Sequence, residues 1–100
     1  MKLLTKEIID RVPALYAQEE LGSEAIIHAK FFDPCGSWSW YMTELNPDTL
    51  VAFGLVDGFE RELGYFSILE LEGIKNRLGI GIERDIDFAP KRLGDLASRG

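Results

Sequence analysis

The side chains in this sequence that could perform nucleophilic or acid–base chemistry are few and scattered. His28 lies between Ile27 and Ala29 with no identifiable serine or cysteine partner, which favours a structural or surface histidine over a general base. Cys35 follows a proline in a turn and has no neighbouring positive charge to activate its thiol. One cysteine and one histidine cannot supply the four ligands of a structural zinc site. We therefore assign no catalytic residue, no metal and no cofactor.

Paired carboxylates are the one pattern that suggests metal chemistry. Glu60 and Glu62, like Asp85 and Asp87, are two residues apart, so both members of a pair lie on one face of a strand. Such pairs bind Mg²⁺ when further ligands complete the coordination shell. This spacing supports an alternative hypothesis, a small metal-dependent enzyme acting on nucleotides or nucleic acid. A solvated strand face explains the same spacing without further ligands, so the residues favour a protein that is not an enzyme.

The excess negative charge of the chain is confined to its middle third. The formal net charge is −6, and residues 41–72 hold seven acidic residues against Arg61 alone. This distribution disfavours direct binding to nucleic acid and suits a protein partner with a basic surface, although a merely solubilising surface gives the same pattern. The candidate partner-binding residues are Glu44, Asp57, Glu60, Glu62, Glu70 and Glu72.

Length and composition indicate one domain that spans residues 1–100. Hydrophobic residues make up 46% and charged residues 28%, as in ordinary soluble proteins. No apolar run approaches the ~20 residues needed to cross a bilayer, and Glu7 interrupts the N-terminal stretch where a signal peptide is apolar. We expect a cytoplasmic protein without membrane association, and the residues favour no particular oligomeric state.

Strands joined by short turns are predicted through most of the chain. Their ranges are 26–32, 37–45, 50–56, 59–66 and 82–88. Residues 46–49 form a turn with proline at its second position. Asp57-Gly58 is a strong signal for a two-residue hairpin. In the last strand, Ile82, Ile86 and Phe88 are predicted to face inward.

Three helices are predicted to cover one face of that sheet. The first is capped by Thr5 and should kink or split near Val12, because the residue before a proline avoids the helical conformation. The second starts at Ser67 and ends at Gly79. Its core-facing residues are Ile68, Leu71, Ile74 and Leu78, and a third helix starts at Pro90 with Leu93, Leu96 and Ala97 inward. The result is an α+β domain: a largely antiparallel β-meander of about five strands packed against about three helices.

Three aromatic rings in the segment 37–41 belong either to a binding platform or to the core. The predicted turn lengths pair Met42 with Phe53 and Trp40 with Leu55. Trp38 and Trp40 then face the helices together with Phe53 and Leu55, whereas Tyr41 faces the opposite way. On this register Trp40→Ala should cost about 3–5 kcal/mol of stability, and Tyr41→Ala much less.

Short motifs along nearly the whole chain carry a family resemblance. They are Met-Thr-Glu-Leu-Asn-Pro-Asp at 42–48, Phe53-Gly54-Leu55, the segment 62–67 with Leu69-Glu70-Leu71, and Leu78-Gly79 followed by 82–85, Phe88 and Pro90. Together they resemble the domain of unknown function family 2958. The resemblance implies a protein of plasmids, integrative elements or phages, and it supplies no activity or catalytic residue.

The leading hypothesis combines this resemblance with the charge distribution. It is a non-enzymatic acidic interaction protein of a mobile genetic element, which binds a basic surface on a host defence, replication or transfer protein. A protein that works as a dimer through an uncovered sheet face is a third hypothesis.

Overall fold

The computed structural model describes residues 2–96, which form an antiparallel sheet flanked by short helices. In chain order the elements are helix α1 (Lys6–Arg11), a first 3₁₀-helix (Glu19–Glu24), strands β1 (Ile26–Ile27), β2 (Ala29–Phe32), β3 (Ser39–Asn46), β4 (Val51–Asp57) and β5 (Arg61–Ser67), helix α2 (Ile68–Gly73), strands β6 (Glu83–Arg84) and β7 (Lys91–Arg92), and a second 3₁₀-helix (Leu93–Asp95). The predicted α+β class is confirmed. In this part of the chain, no helix has the length and apolar character needed to cross a membrane.

Both α-helices begin at the residues predicted from the sequence. Thr5 Oγ1 accepts a hydrogen bond from the Ile8 N–H at 3.1 Å. Ser67 Oγ accepts one from the Glu70 N–H at 3.2 Å. Each bond satisfies an N–H group that has no partner inside its helix. Helix α1 ends before Val12, which has extended backbone angles next to proline, as predicted.

Helix α2 is shorter than the sequence pattern indicates. It ends at Gly73, and the following residue, Ile74, already has extended backbone angles. The prediction that Ile74 and Leu78 face the core is wrong, since both side chains are exposed. Glycine is a weak helix former, and its low propensity outweighs the apolar periodicity here.

The segment after α2 also has less regular structure than predicted. Ile82 is buried as predicted, but the strand is reduced to β6 and Ile86 is exposed. No helix starts at Pro90; β7 and the second 3₁₀-helix occupy that segment instead. Ala97, predicted to face inward, lies outside the described residues.

The main sheet has the order β5-β4-β3-β2-β6, and all its neighbouring strands are antiparallel. The predicted meander is therefore confirmed from β2 to β5. Strand β6 does not extend the meander beyond β5; it pairs with the other edge of β2. Strands β1 and β7 form a separate two-stranded ribbon.

A β-bulge in β3 shifts the predicted register. Trp40 pairs with Val56 and Met42 with Gly54, but Glu44 pairs with Phe53, so Thr43 is an extra residue. The predicted pairing of Met42 with Phe53 is wrong by one residue. An extra residue of this kind turns the side chains beyond it to the opposite face of the sheet.

The β4–β5 hairpin is also longer than predicted. Asp57 pairs with Arg61 across a loop of three residues, and the two side chains form an ion pair at 3.2 Å. Gly58 lies in this loop against the indole ring of Trp38. A Cβ at position 58 would come within 2.5 Å of that ring, so there is no room for a side chain here. The loop therefore packs on Trp38, a contact that the Asp-Gly dipeptide does not specify.

One face of the sheet, here called the core face, packs against the two α-helices. Its buried residues are Ala29, Phe31, Trp40, Met42, Leu45 and Ala52. Trp40 lies in the core as predicted, and Trp38 packs partly buried at its margin, 6.0 Å from the Trp40 ring. Phe53 and Leu55, which were predicted to lie inward, alternate with Ala52 and therefore point to the opposite face.

The opposite face, here called the second face, is covered only in part. Over β2 and β3, Phe88 packs 6.2 Å from the Tyr41 ring and the Lys30 ammonium lies 5.5 Å from that ring. Tyr41 points away from Trp40 as predicted, yet both residues are only 8% exposed. Over β5 the second face is open, and Leu63 is 57% and Tyr65 54% exposed.

The N-terminal segment is attached to the last third of the described chain. Leu3 is fully buried, and its N–H donates to Glu72 Oε2 at 2.9 Å. The Arg84 guanidinium donates to the Leu3 carbonyl at 3.0 Å. Residues that are almost the whole chain apart thus close the core.

Candidate binding pocket

An open pocket of about 140 Å³ lies on the second face, beside the exposed side chains of β5. The sheet supplies its floor, and the segment between α1 and β1 supplies one wall. The residues that define its chemistry are Tyr16, Gln18, Thr43, Glu44, Phe53 and Tyr65.

The bulge at Thr43 produces the floor of the pocket. Because Thr43 is an extra residue, Glu44 lies opposite Phe53, and Phe53 lies opposite Tyr65 on the next strand. The Phe53 and Tyr65 rings meet edge to face at 5.0 Å, a favourable aromatic geometry. Thr43 Oγ1 donates to the Phe53 carbonyl at 3.1 Å and thereby fixes the bulge.

Glu44 is a buried carboxylate that attaches the wall to the sheet. It is 4% exposed, and its two oxygens accept hydrogen bonds from the backbone N–H groups of Tyr16 and Gln18, each at 2.8 Å. A buried carboxylate costs free energy unless such donors satisfy it. The pair of bonds therefore fixes the position of the wall over the floor.

Gln18 completes this attachment with its side chain. Its amide nitrogen donates to the carbonyls of Thr43 at 2.7 Å and Ile26 at 3.0 Å, and its amide oxygen accepts from the Ile26 N–H at 2.7 Å. Within residues 2–96, the buried polar or charged residues are Gln18, Thr43 and Glu44. All three line this pocket, so the polar network of the interior is concentrated at one site.

Tyr16 forms the mouth of the pocket in a strained backbone conformation. Its φ of 71° lies in the left-handed region, which is uncommon for a bulky residue. Strain of this kind clusters at binding and catalytic sites. A hydrogen bond between the Tyr65 and Tyr16 side chains, together with burial and the negative charges of Glu19 and Glu44, raises the pKa of Tyr65.

The chain matches a known family over almost its whole length. The family model "Protein of unknown function (DUF2958)" matches residues 3–97. The chain belongs to this family. The resemblance seen in the motifs is thereby confirmed, and the whole pocket of this DUF2958 protein lies within the matched range. The search of curated proteins and the search of solved structures found no match.

The six acidic residues singled out in the sequence do not form one surface in this DUF2958 protein. Glu44 is buried and fully engaged by backbone N–H groups, so it contributes nothing to an exposed acidic strip. Asp57 pairs with Arg61. The remaining four lie on the β4–β5 hairpin or on α2: Glu60 and Glu62 are exposed at the start of β5, Glu70 is exposed on α2, and Glu72 binds the Leu3 N–H.

The carboxylate pairs considered for metal binding are also far apart in the sheet. Glu60 and Glu62 lie at edge strand β5, whereas Asp85 and Asp87 follow β6 at the other edge. Among the residues that the structure describes, no three His, Cys, Asp or Glu side chains are grouped so as to hold a metal ion. The two pairs therefore do not form one centre in this part of the chain.

His28 lies between β1 and β2, away from the pocket. Its Nδ1 is buried without a hydrogen-bond partner. Burial, together with the positive charge of Arg11, lowers the pKa of His28 from its usual 6.5. A neutral imidazole is thus favoured in the folded protein.

The residues of the pocket that sequence reasoning missed are Tyr16, Gln18, Thr43 and Tyr65. Nothing in the sequence near Tyr16 or Gln18 marks either residue as part of a pocket. The only local signal was the polar pair Thr43-Glu44 between the apolar residues Met42 and Leu45. A polar residue in such a position is a hint of a bulge, but it does not identify the partner segment.

Proposed function

We propose that this protein is a non-enzymatic interaction protein of a mobile genetic element, which binds an extended basic segment of a partner protein along the open edge of β5. The partner would belong to the defence, replication or transfer machinery of the host or element. The observation that carries this proposal is the position of β5, an edge strand inside the region that holds all the excess negative charge.

The edge of β5 offers unpaired backbone groups to an incoming strand. Within residues 2–96, β5 pairs only with β4. The Ile68 N–H donates to the Leu50 carbonyl at 2.9 Å, which identifies these two residues as a hydrogen-bonded pair. Because such pairs alternate along an antiparallel ladder, Leu63 and Tyr65 direct their N–H and C=O groups away from β4. An extended segment that adds to a sheet edge uses such groups.

The side chains at this edge favour a basic occupant. Glu60 and Glu62 are exposed where β5 begins, and Leu63 and Tyr65 offer apolar surface on the second face. Lysine or arginine residues on an added strand would lie close to these carboxylates. A second copy of the chain fits less well, because each copy has a net charge of −6 and the copies repel.

A synthetic extended peptide with alternating Lys and Val residues tests the proposal. Isothermal titration calorimetry should detect its binding, with affinity that falls as salt is raised. The same peptide with alternate backbone nitrogens methylated should bind at least about tenfold more weakly, because strand addition needs its N–H groups. Absence of binding by the first peptide, or equal binding by both, would refute the proposal.

A matched pair of charge variants locates the binding site on the protein. Glu62→Gln and Glu70→Gln each remove one exposed negative charge, but only Glu62 lies on β5. The first variant should weaken peptide binding several-fold more than the second. Equal weakening would mean that only the net charge matters, and that β5 is not the binding edge.

A further inference from the structure

The pocket beside β5 combines an aromatic lining with negative charge. The rings of Tyr16, Phe53 and Tyr65 line it, together with the carboxylates of Glu19 and Glu44. The side chains that line it in the described part of the chain include no Lys, Arg or His. Aromatic faces and carboxylates both attract cations, the former through the ring quadrupole.

The size of the pocket suits the end of one side chain. Its volume is about 140 Å³, close to the roughly 150 Å³ of a cavity that accepts benzene. A planar guanidinium group can stack on tyrosine or phenylalanine rings and still donate to a carboxylate, whereas a lysine ammonium is a compact and more strongly hydrated point charge. Arginine is therefore the cationic side chain that fits this lining best.

The position of the pocket relates it to the edge of β5. Leu63 and Tyr65, which line the pocket, project from the second face of β5. A strand added to this edge would place its own second-face side chains beside them, at about 4.5–5.5 Å between opposed Cβ atoms. From there a long side chain is directed over Tyr65 towards Phe53 and Tyr16.

We propose that the pocket formed by Tyr16, Phe53 and Tyr65 over Glu44 binds an arginine side chain of the partner segment. This inference rests on the proposed strand addition at β5 and names the residue that fixes its register. The carboxylates of Glu19 and Glu44 act in the same direction, since negative charge in the pocket lining favours a positive charge beside the rings.

The first test changes the ligand and leaves the protein intact. In the alternating basic peptide, one central residue on the second-face side is made arginine, citrulline or lysine, and the three affinities are compared. Citrulline keeps the shape of arginine but has no charge, so it should bind about tenfold more weakly than arginine, with lysine between them. Equal affinities for arginine and citrulline would overturn the inference and leave strand addition standing.

The second test changes the pocket. Tyr65→Leu should abolish the preference for arginine over citrulline, whereas Tyr65→Phe, which keeps the ring, should retain it. Phe59→Ala is the matched control, because Phe59 is an exposed ring on the same hairpin outside this pocket. If Phe59→Ala lowers the preference as much as Tyr65→Leu, or if Tyr65→Leu leaves it unchanged, the pocket is not the arginine site.

A third measurement separates failure of this inference from failure of the proposed function. N-ethylguanidinium, which cannot form a strand, is titrated at millimolar concentration while the aromatic ¹H–¹³C resonances are recorded. Shifts confined to Tyr16, Phe53 and Tyr65 would support the pocket even if no peptide adds to β5. No shift of these rings at saturating concentration would refute it, whatever the peptides do.

Discussion

The replacement Glu44→Gln tests the attachment of the pocket wall most directly. Glutamine has nearly the same shape as glutamate, but one of its two terminal atoms is an N–H₂ group that cannot accept a hydrogen bond. Both Glu44 oxygens accept backbone N–H groups at 2.8 Å in a site that is 4% exposed. In the variant, either the Tyr16 or the Gln18 N–H must therefore face another donor.

The expected loss of stability follows from the number of hydrogen bonds that each replacement removes. Leaving one buried donor unsatisfied costs about 1–3 kcal/mol. Glu44→Gln should therefore lower the free energy of unfolding by about 1–3 kcal/mol. Glu44→Ala removes both bonds and should lower the free energy of unfolding by about 2–5 kcal/mol. Water that enters the open pocket can accept hydrogen bonds from the two N–H groups and so reduces this loss. For a domain of about 100 residues, each kcal/mol lowers Tm by roughly 4–8 °C.

Urea denaturation followed by tryptophan fluorescence measures these changes, with circular dichroism melts as a second probe. Glu20→Gln is the control, because it removes the same charge from an exposed position in the first 3₁₀-helix. The free energy of unfolding of that variant should stay within about 0.5 kcal/mol of the wild-type value. If Glu44→Gln is equally neutral, the two hydrogen bonds do not stabilise the fold and the argument for a fixed wall fails.

Three further predictions concern the register, the covered part of the second face and the histidine. Gly54→Ala should destabilise by about 3 kcal/mol or more in urea, because its Cβ would overlap the Tyr41 carbonyl, whereas Gly64→Ala on the opposed strand has open space and should be nearly neutral. Trp40→Ala and Tyr41→Ala should each lower the free energy of unfolding by about 3–5 kcal/mol, since both side chains are only 8% exposed. A nearly unchanged stability of Tyr41→Ala would contradict the packing of residues 85–96 over the second face. Because the pKa of His28 is lowered in the folded state, the unfolded chain takes up this proton at a higher pH than the folded protein does. The contribution of His28 to stability is therefore complete above pH 6.5 and is lost as the pH falls below that value. The difference between the Tm at pH 7.5 and the Tm at pH 5.5 should be smaller for His28→Gln than for the wild type. Equal differences for the two proteins would count against a lowered pKa of His28.

The features that could be predicted from the sequence are those that neighbouring residues determine. The caps at Thr5 and Ser67 each involve a hydrogen bond to an N–H three residues later, so a short pattern specifies them. The order of β2 to β5 follows from short turns between apolar segments. The side chain of Asn46 accepts from the N–H groups of Asp48 and Thr49, which closes the predicted turn locally.

The features that could not be predicted depend on residues distant in the chain. The bulge at Thr43 is held in part by Gln18, 25 residues earlier, and the hairpin loop containing Gly58 is packed under Trp38. The bulge adds a residue to β3, and the three-residue loop moves the pairing of β4 with β5, so each changes which side chains lie opposite one another. The pocket was therefore missed together with the register, because the bulge is what turns Glu44 towards Tyr16.

The attachment of the N-terminal segment has a consequence for synthesis of the chain. Leu3 is translated before the residues that hold it in the core, because Glu72 and Arg84 are 69 and 81 residues further on. At about 5–20 residues per second, a ribosome needs roughly 4–16 s to add those residues. During that time the meander of β2 to β5 can pair, while Leu3 still lacks the two residues that bind its backbone. Chaperones that bind emerging chains would therefore find Leu3 exposed until the segment that contains Arg84 has been made.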